Sequence, residues 1–348
     1  MKKCNDVAII GCSIASLYAA IKCGELGYNV CIYERKKTIL PITDSAYHNF
    51  KMFNDNHFWF KDLLNRYGIV ADPIENLKRN QELDEFIRYV IKTSKTLPHN
   101  ILISQTFTQI CYHLNVDERL RKINSSIGSD VFDCIFNSIS ANDCLDMFIN
   151  DFSDDTMYYT LSNTSIENLI TEMLKEFKKR KSNQIKYDTD IKHFKYIEKK
   201  FILQSSNQSA DLVKSDFLFT TISKSNLSAF SFWNSDQLNN LNKVSVIKAS
   251  IIPIVVNNIM HMPKSLYNIN QVLLNELHIV YPIFTDKLKY VYLFNIGVNN
   301  VVISEKIKHM YNNRCLICSE SFSRNNMFIH YSLDYIEKSL TKMLLSYK

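Results

Sequence analysis

An α/β (α+β) fold follows from three features of this sequence. A strand, a glycine turn, a helix and a second strand fit into the first 34 residues. A helix-patterned stretch and then a β-rich stretch follow. A last apolar strand runs directly into a last helix. Together they describe a nucleotide-binding domain interrupted by a second domain.

Residues 6–10, Asp-Val-Ala-Ile-Ile, have the short apolar run of a buried strand. Residues 14–27 read as a helix that ends at Gly24 or Gly27, either a suitable terminator. Residues 28–33, Tyr-Asn-Val-Cys-Ile-Tyr, form the second strand, which gives a right-handed βαβ unit. Residues 38–60 are irregular and rich in His, Asn and aromatics. Residues 60–150 place apolar side chains at three- and four-residue spacing, as at Phe86 and Val90, and at Phe132, Ile135 and Phe136.

Ser162 or Thr164 caps a helix through Lys179, with Ile166, Leu169, Ile170, Leu174 and Phe177 on its apolar face. Residues 185–222 are short strands joined by polar turns. Residues 244–256 and 278–303 are β-rich. There, alternation puts Tyr290, Tyr292 and Phe294 on one face, suited to a core or to a substrate cavity. Residues 314–318 make the last strand, and a helix runs from about Met327 to Leu345.

Composition limits the function classes. Hydrophobic residues are 46% and charged residues 22%, which excludes bulk disorder. The net charge of +6 is mild, and nucleic acid is not an expected partner. The dense basic run, Lys175 to Lys181, falls at a helix end, where cations suit the dipole. Nine scattered cysteines, an odd number, fit reduced thiols in an intracellular setting. Cys315 and Cys318 form the one CxxC, but in a strand they point to opposite faces, and no metal site is expected. No apolar run reaches the ~18 residues of a membrane span, so a soluble protein is expected.

The first turn reads Gly11-Cys12-Ser13-Ile14-Ala15-Ser16. A dinucleotide fold places Gly at the first, third and sixth of these positions. Gly11 makes the tight turn. Position 13 lets a pyrophosphate approach the helix N-terminus, and position 16 lets helix and strand pack closely. Serine is a small replacement at both. Glu34 ends strand two, roughly twenty residues after Gly11, where a carboxylate accepts hydrogen bonds from the adenosine ribose. Arg35 follows it. His48 and His57 flank the irregular loop and are structural or solvated, or else contact phosphate or act as a base.

Four segments, in order, resemble the flavin-containing amine oxidase family. The βαβ start is the first. Residues 158–170, Tyr-Tyr-Thr-Leu-Ser-Asn-Thr-Ser-Ile-Glu-Asn-Leu-Ile, resemble the family's Gly-Gly-hydrophobic-x-x-Leu helix start. Thr189-Asp190-Ile191, followed by Asp216 to Thr221, resemble its adenine-contacting strand and its Ala-Asp-x-Val-Ile strand. Residues 315–335 resemble its C-terminal flavin motif, with Ser319-Glu320 on Gly-Glu, Phe328 on Trp, His330 on Glu, and Tyr331-Ser332 on Gly-Ala. The family's Gly-Gly-Arg segment after the ribose acid is missing. Residues 123–162 also resemble flavin amine oxidase-like proteins of large DNA viruses, which implies the cytoplasm of a host cell or a virion.

The resemblance implies a discontinuous Rossmann-type FAD-binding domain at 1–60, 158–225 and 304–348. It implies a helical insertion at 61–157 and a mixed-sheet substrate domain at 226–303. FAD would lie along Gly11, Ser13, Ile14, Ala15, Ser16, Glu34, Arg35, Ile191, Ser319, Glu320, Phe328 and Ile329. A small-molecule amine is the implied substrate. The family often places a lysine near the reactive flavin nitrogen. Lys248 is the candidate here, with a solvent-facing strand lysine as the alternative. A degenerate member that binds without catalysing is the second functional reading, because residues 13, 319 and 331 have lost glycine.

Overall fold

β1 (Asn5–Ile10) is apolar from Val7 onward because it is covered on both faces. It pairs in parallel with β2 (Val30–Tyr33) on one side and with β9 (Val213–Thr220) on the other. β6 (Gln184–Lys186) extends the sheet beyond β2, also in parallel. Two elements share the far edge of β9. β8 (Lys200–Ser205) runs antiparallel along Val213–Ser215, and β14 (Cys315–Ile317) runs parallel along Leu218–Thr220. β7 (Ile191–Ile197) completes a hairpin with β8. Its two turn residues, Glu198 and Lys199, both have positive φ, as a tight two-residue hairpin requires. The computed structural model describes residues 5–40, 52–73, 81–127, 141–151, 157–205, 213–221, 245–247, 279–281, 292–294, 296–298, 313–317 and 329–345.

Strand alternation sorts the side chains into two cores. Val7, Ile9, Val30, Ile32, Phe217 and Phe219 face the helices α1 (Ile14–Glu25), α8 (Asn163–Lys179) and α9 (Ile329–Leu345). Ala8, Ile10, Cys31, Tyr33 and Leu218 face the other way, onto Phe194, Phe201 and Leu203 of the β7–β8 hairpin. Of the two expected helix terminators, Gly27 is the one used. It stands just past α1 with φ +95°, while Gly24 lies inside the helix. Buried Asn183 then ties α8 to β2. Its Oδ1 accepts the Val30 N–H at 3.2 Å, and its Nδ2 donates to the Phe177 carbonyl at 3.1 Å.

Ser162, not Thr164, caps α8: its Oγ accepts the Ser165 N–H at 3.0 Å. Ser162→Ala is expected to cost about 1 kcal/mol, seen as a lower urea midpoint with unchanged slope. An unchanged midpoint would show that the cap contributes nothing.

A second, three-stranded antiparallel sheet joins β3 (Met52–Asn54), β5 (Tyr158–Thr160) and β4 (Asp72–Pro73). α2 (Phe58–Arg66) follows β3 and packs Phe60, Leu63 and Leu64 into the helix-side core. The helix-patterned segment holds α3 (Gln81–Ser94), α4 (His99–Ser104), α5 (Phe107–His113), α6 (Asp117–Ile127) and α7 (Ala141–Asp151). In the β-rich stretch, β10 (Ser245–Ile247) pairs with β13 (Ile296–Val298), and β11 (Ile279–Tyr281) pairs with β12 (Tyr292–Phe294), both antiparallel.

Candidate nucleotide site

The carboxyl ends of β1, β2 and β9 meet beside the N-terminus of α1, the place where open α/β sheets take ligands. Gly11 turns the chain there with φ +91°, a conformation that disfavours any side chain. Its N–H donates to the Tyr33 carbonyl at 2.9 Å, which locks the turn to β2.

Glu34 sits at the end of β2 with 7% of its surface exposed. The Cys12 N–H donates to its Oε2 at 2.8 Å, and the Lys36 N–H donates to its Oε1 at 2.9 Å. Both carboxylate oxygens are therefore fixed by backbone, and each keeps a lone pair for a hydroxyl. The segment before β7 closes this corner. The Thr189 N–H donates to the Glu34 carbonyl at 2.9 Å, and the Asp188 N–H donates to that of Lys36 at 3.0 Å. Ile191, two residues on, is buried with Ile10 and Tyr33, so backbone rather than its side chain reaches Glu34. Arg35 is exposed beside it.

Ser13 is the N-cap of α1: its Oγ accepts the Ser16 N–H at 3.2 Å. Ser16 is buried, and its hydroxyl bonds that of Thr221, just past β9. That bond lets a serine stand where helix and strand pack closely. Ile14 and Ala15 follow the cap, 0% and 3% exposed. Among the described residues their N–H groups have no partner. Two buried, unpaired donors at the positive end of a helix are what a pyrophosphate satisfies. Burial, with Glu34 nearby, pushes the Cys12 thiol well above its ordinary range, so it is no nucleophile here.

The structure thus gathers Gly11, Ser13, Ile14, Ala15, Ser16, Glu34, Arg35 and the segment leading to Ile191 at one corner. Ile329 begins α9 and is buried in the same helix-side core. Lys248, Ser319, Glu320 and Phe328 lie outside the described residues. His57, read from sequence as a loop histidine, is fully buried at the start of α2. Its ring stacks on that of His330 in the first turn of α9, with centroids 5.0 Å apart and planes 12° from parallel. Neither this pair nor the part of Thr221 carries a local sequence signal. Among the described residues no cluster of three metal-ligating side chains occurs, and no helix is long and apolar enough to cross a membrane.

No protein-family model and no curated protein matches this chain. Solved structures do. Putrescine oxidase bound to putrescine matches with a TM-score of 0.61 at 10% identity, over 99% of each chain. Cyclohexylamine oxidase from Brevibacterium oxydans matches at 0.60 and 9%, over 98% of this chain and 99% of that one. A CLA-producing fatty acid isomerase from P. acnes matches at 0.59 and 15%, over 97% of this chain and 99% of that one. The α/β architecture, with its mixed parallel and antiparallel sheet, is the fold of these enzymes.

Proposed function

We propose that this chain is an FAD-binding oxidoreductase acting on a small amine. The observation that carries the reading is the pair of unpaired N–H groups at Ile14 and Ala15 beside the backbone-fixed Glu34. It stands in a fold shared with two amine oxidases. The residues present fit the cofactor. Ile14 and Ala15 would hold its pyrophosphate, and Glu34 its adenosine ribose. The segment from Asp188 to Ile191 would lie by the adenine, and Arg35 at its rim. Ser319, Glu320, Phe328 and Ile329 would hold the flavin half. FAD, when bound, accepts a hydride from the carbon bearing the nitrogen and passes electrons to oxygen. The protein's part is to bind, orient and exclude water, with Lys248 as the candidate group near the reacting atoms. The stretch 226–303 with the helices of 61–157 would form the amine site.

A second reading, a binding protein that has lost turnover, is favoured by the loss of glycine at Ser13, Ser319 and Tyr331, the last in the first turn of α9. An absorption spectrum of the purified chain, before and after denaturation, separates the readings. Flavin bands with release of FAD, followed by peroxide production on an amine panel, are expected. A colourless chain that takes up no added FAD would sink the first reading.

A further inference from the structure

The first turn of α9 is held differently from the rest of that helix. From Asp334 onward α9 is pinned by polar bonds. Trp59 Nε1 donates to Asp334 Oδ1 at 3.0 Å, Lys22 Nζ meets Glu337 Oε1 at 2.8 Å, and the Tyr18 hydroxyl donates to the same carboxylate. Tyr28 donates to the Leu344 carbonyl at 2.9 Å. In the first turn Ile329 is buried in the helix-side core, and a cluster of rings gathers around His330. His330 stacks on His57, and Phe58 meets it edge-on at 5.0 Å. Tyr331 closes the box edge-on to both histidines.

This box does not tolerate charge. His57 is 0% and His330 5% exposed. The Asn54 N–H donates to His57 Nδ1 at 3.2 Å, so that nitrogen carries no proton. Among the described residues, His330 Nδ1 and Ser332 Oγ are buried without a hydrogen-bond partner. A His330 imidazolium would be buried from water, face a second imidazole, and lie at the positive end of a helix. Among the described residues its ionisable neighbours are three. His57 comes from the α2 side, and Asp334, which favours a proton, and Lys338, which opposes one, come from α9. α1 presents Tyr18 and Lys22 to Glu337, two turns further on.

We infer that the His57–His330 stack is a proton-operated latch: closed while the His330 ring is neutral, and opened by its protonation, which frees the first turn of α9 from the β3–α2 corner. The body of the helix stays docked through Asp334 and Glu337. Opening therefore is local and reversible.

Trp59 reports this event, because it touches both Phe58 and Asp334. The test uses the full chain carrying Trp233→Phe, which removes the other of the two tryptophans. Trp59 emission and far-ultraviolet circular dichroism are followed from about pH 7.5 to about pH 4, across the histidine range. A reversible emission change on the acid side of pH 6, with the helical signal retained, is expected, and His330→Phe should abolish it. No emission change before the helical signal is lost, or the same change in His330→Phe, overturns the latch. Where His330→Phe does not fold, the histidine proton resonances of the parent variant decide. One imidazole must titrate at the emission midpoint; if none does, the latch is wrong. A further arm rests on the proposed function: in the FAD-loaded chain, Kd should rise about tenfold when the latch opens. An intact Trp59 transition with unchanged FAD affinity would leave the latch standing and count against FAD lying at α9.

Discussion

Glu34→Ala is expected to weaken FAD binding about 100-fold while leaving a folded chain. The carboxylate is buried and already oriented, so no entropy is spent on positioning it when a ribose arrives. Two hydroxyls bonding a fixed anion are charge-assisted bonds, each of about 1.5–3 kcal/mol, and the substitution removes their acceptor. The conservative variant is the sharper probe. In Glu34→Gln one side-chain oxygen becomes an NH₂ that must face the N–H of Cys12 or of Lys36. Donor against donor in a buried corner costs about 1–3 kcal/mol of stability. Glutamine should therefore lower the urea midpoint and also fail to restore FAD affinity. Titration of flavin fluorescence gives the affinity, and the urea midpoint gives the stability of each variant. Wild-type FAD affinity in Glu34→Ala would remove Glu34 from the site.

The corner around Glu34 was legible because its signals are local. Strand, turn, helix, strand and acid are contiguous, so apolar runs, one glycine and one carboxylate are enough to place them. The cap of α8 was narrowed to Ser162 or Thr164 for the same reason, and only backbone geometry could choose Ser162. What stayed hidden is non-local. β3 is three residues long, and its partners are Tyr158–Thr160, far along the chain, so residues 38–60 read as irregular. Ser16 looked like a tolerated small residue, yet its hydroxyl is matched by Thr221 from another strand. His57 and His330 meet because α2 and α9 pack together, and nothing near either histidine announces the other. The fold was thus readable through pattern and order, whereas pairings between segments required the tertiary structure.

Acid should destabilise this chain above the pH at which its carboxylates protonate. Burial, and next the neighbouring His57, hold the His330 imidazole down to about 3. In the unfolded chain it titrates near 6.5. Between those values the unfolded chain binds the extra proton, so stability is complete above about pH 6.5 and falls as the pH drops toward 3. At pH 5 the loss relative to pH 7 should be about 2 kcal/mol, before ordinary Asp and Glu residues contribute. Urea unfolding at the two pH values measures it, and His330→Phe should lose far less over the same interval. Equal losses in both proteins would show that His330 is not the group responsible. A latch that opens before global unfolding limits the loss, because an exposed imidazolium no longer opposes the fold. Stability should then level off at the free energy that holds the first turn of α9 closed. The height of that plateau measures how strongly the ring contacts of His330 with His57, Phe58 and Tyr331 hold the turn in place.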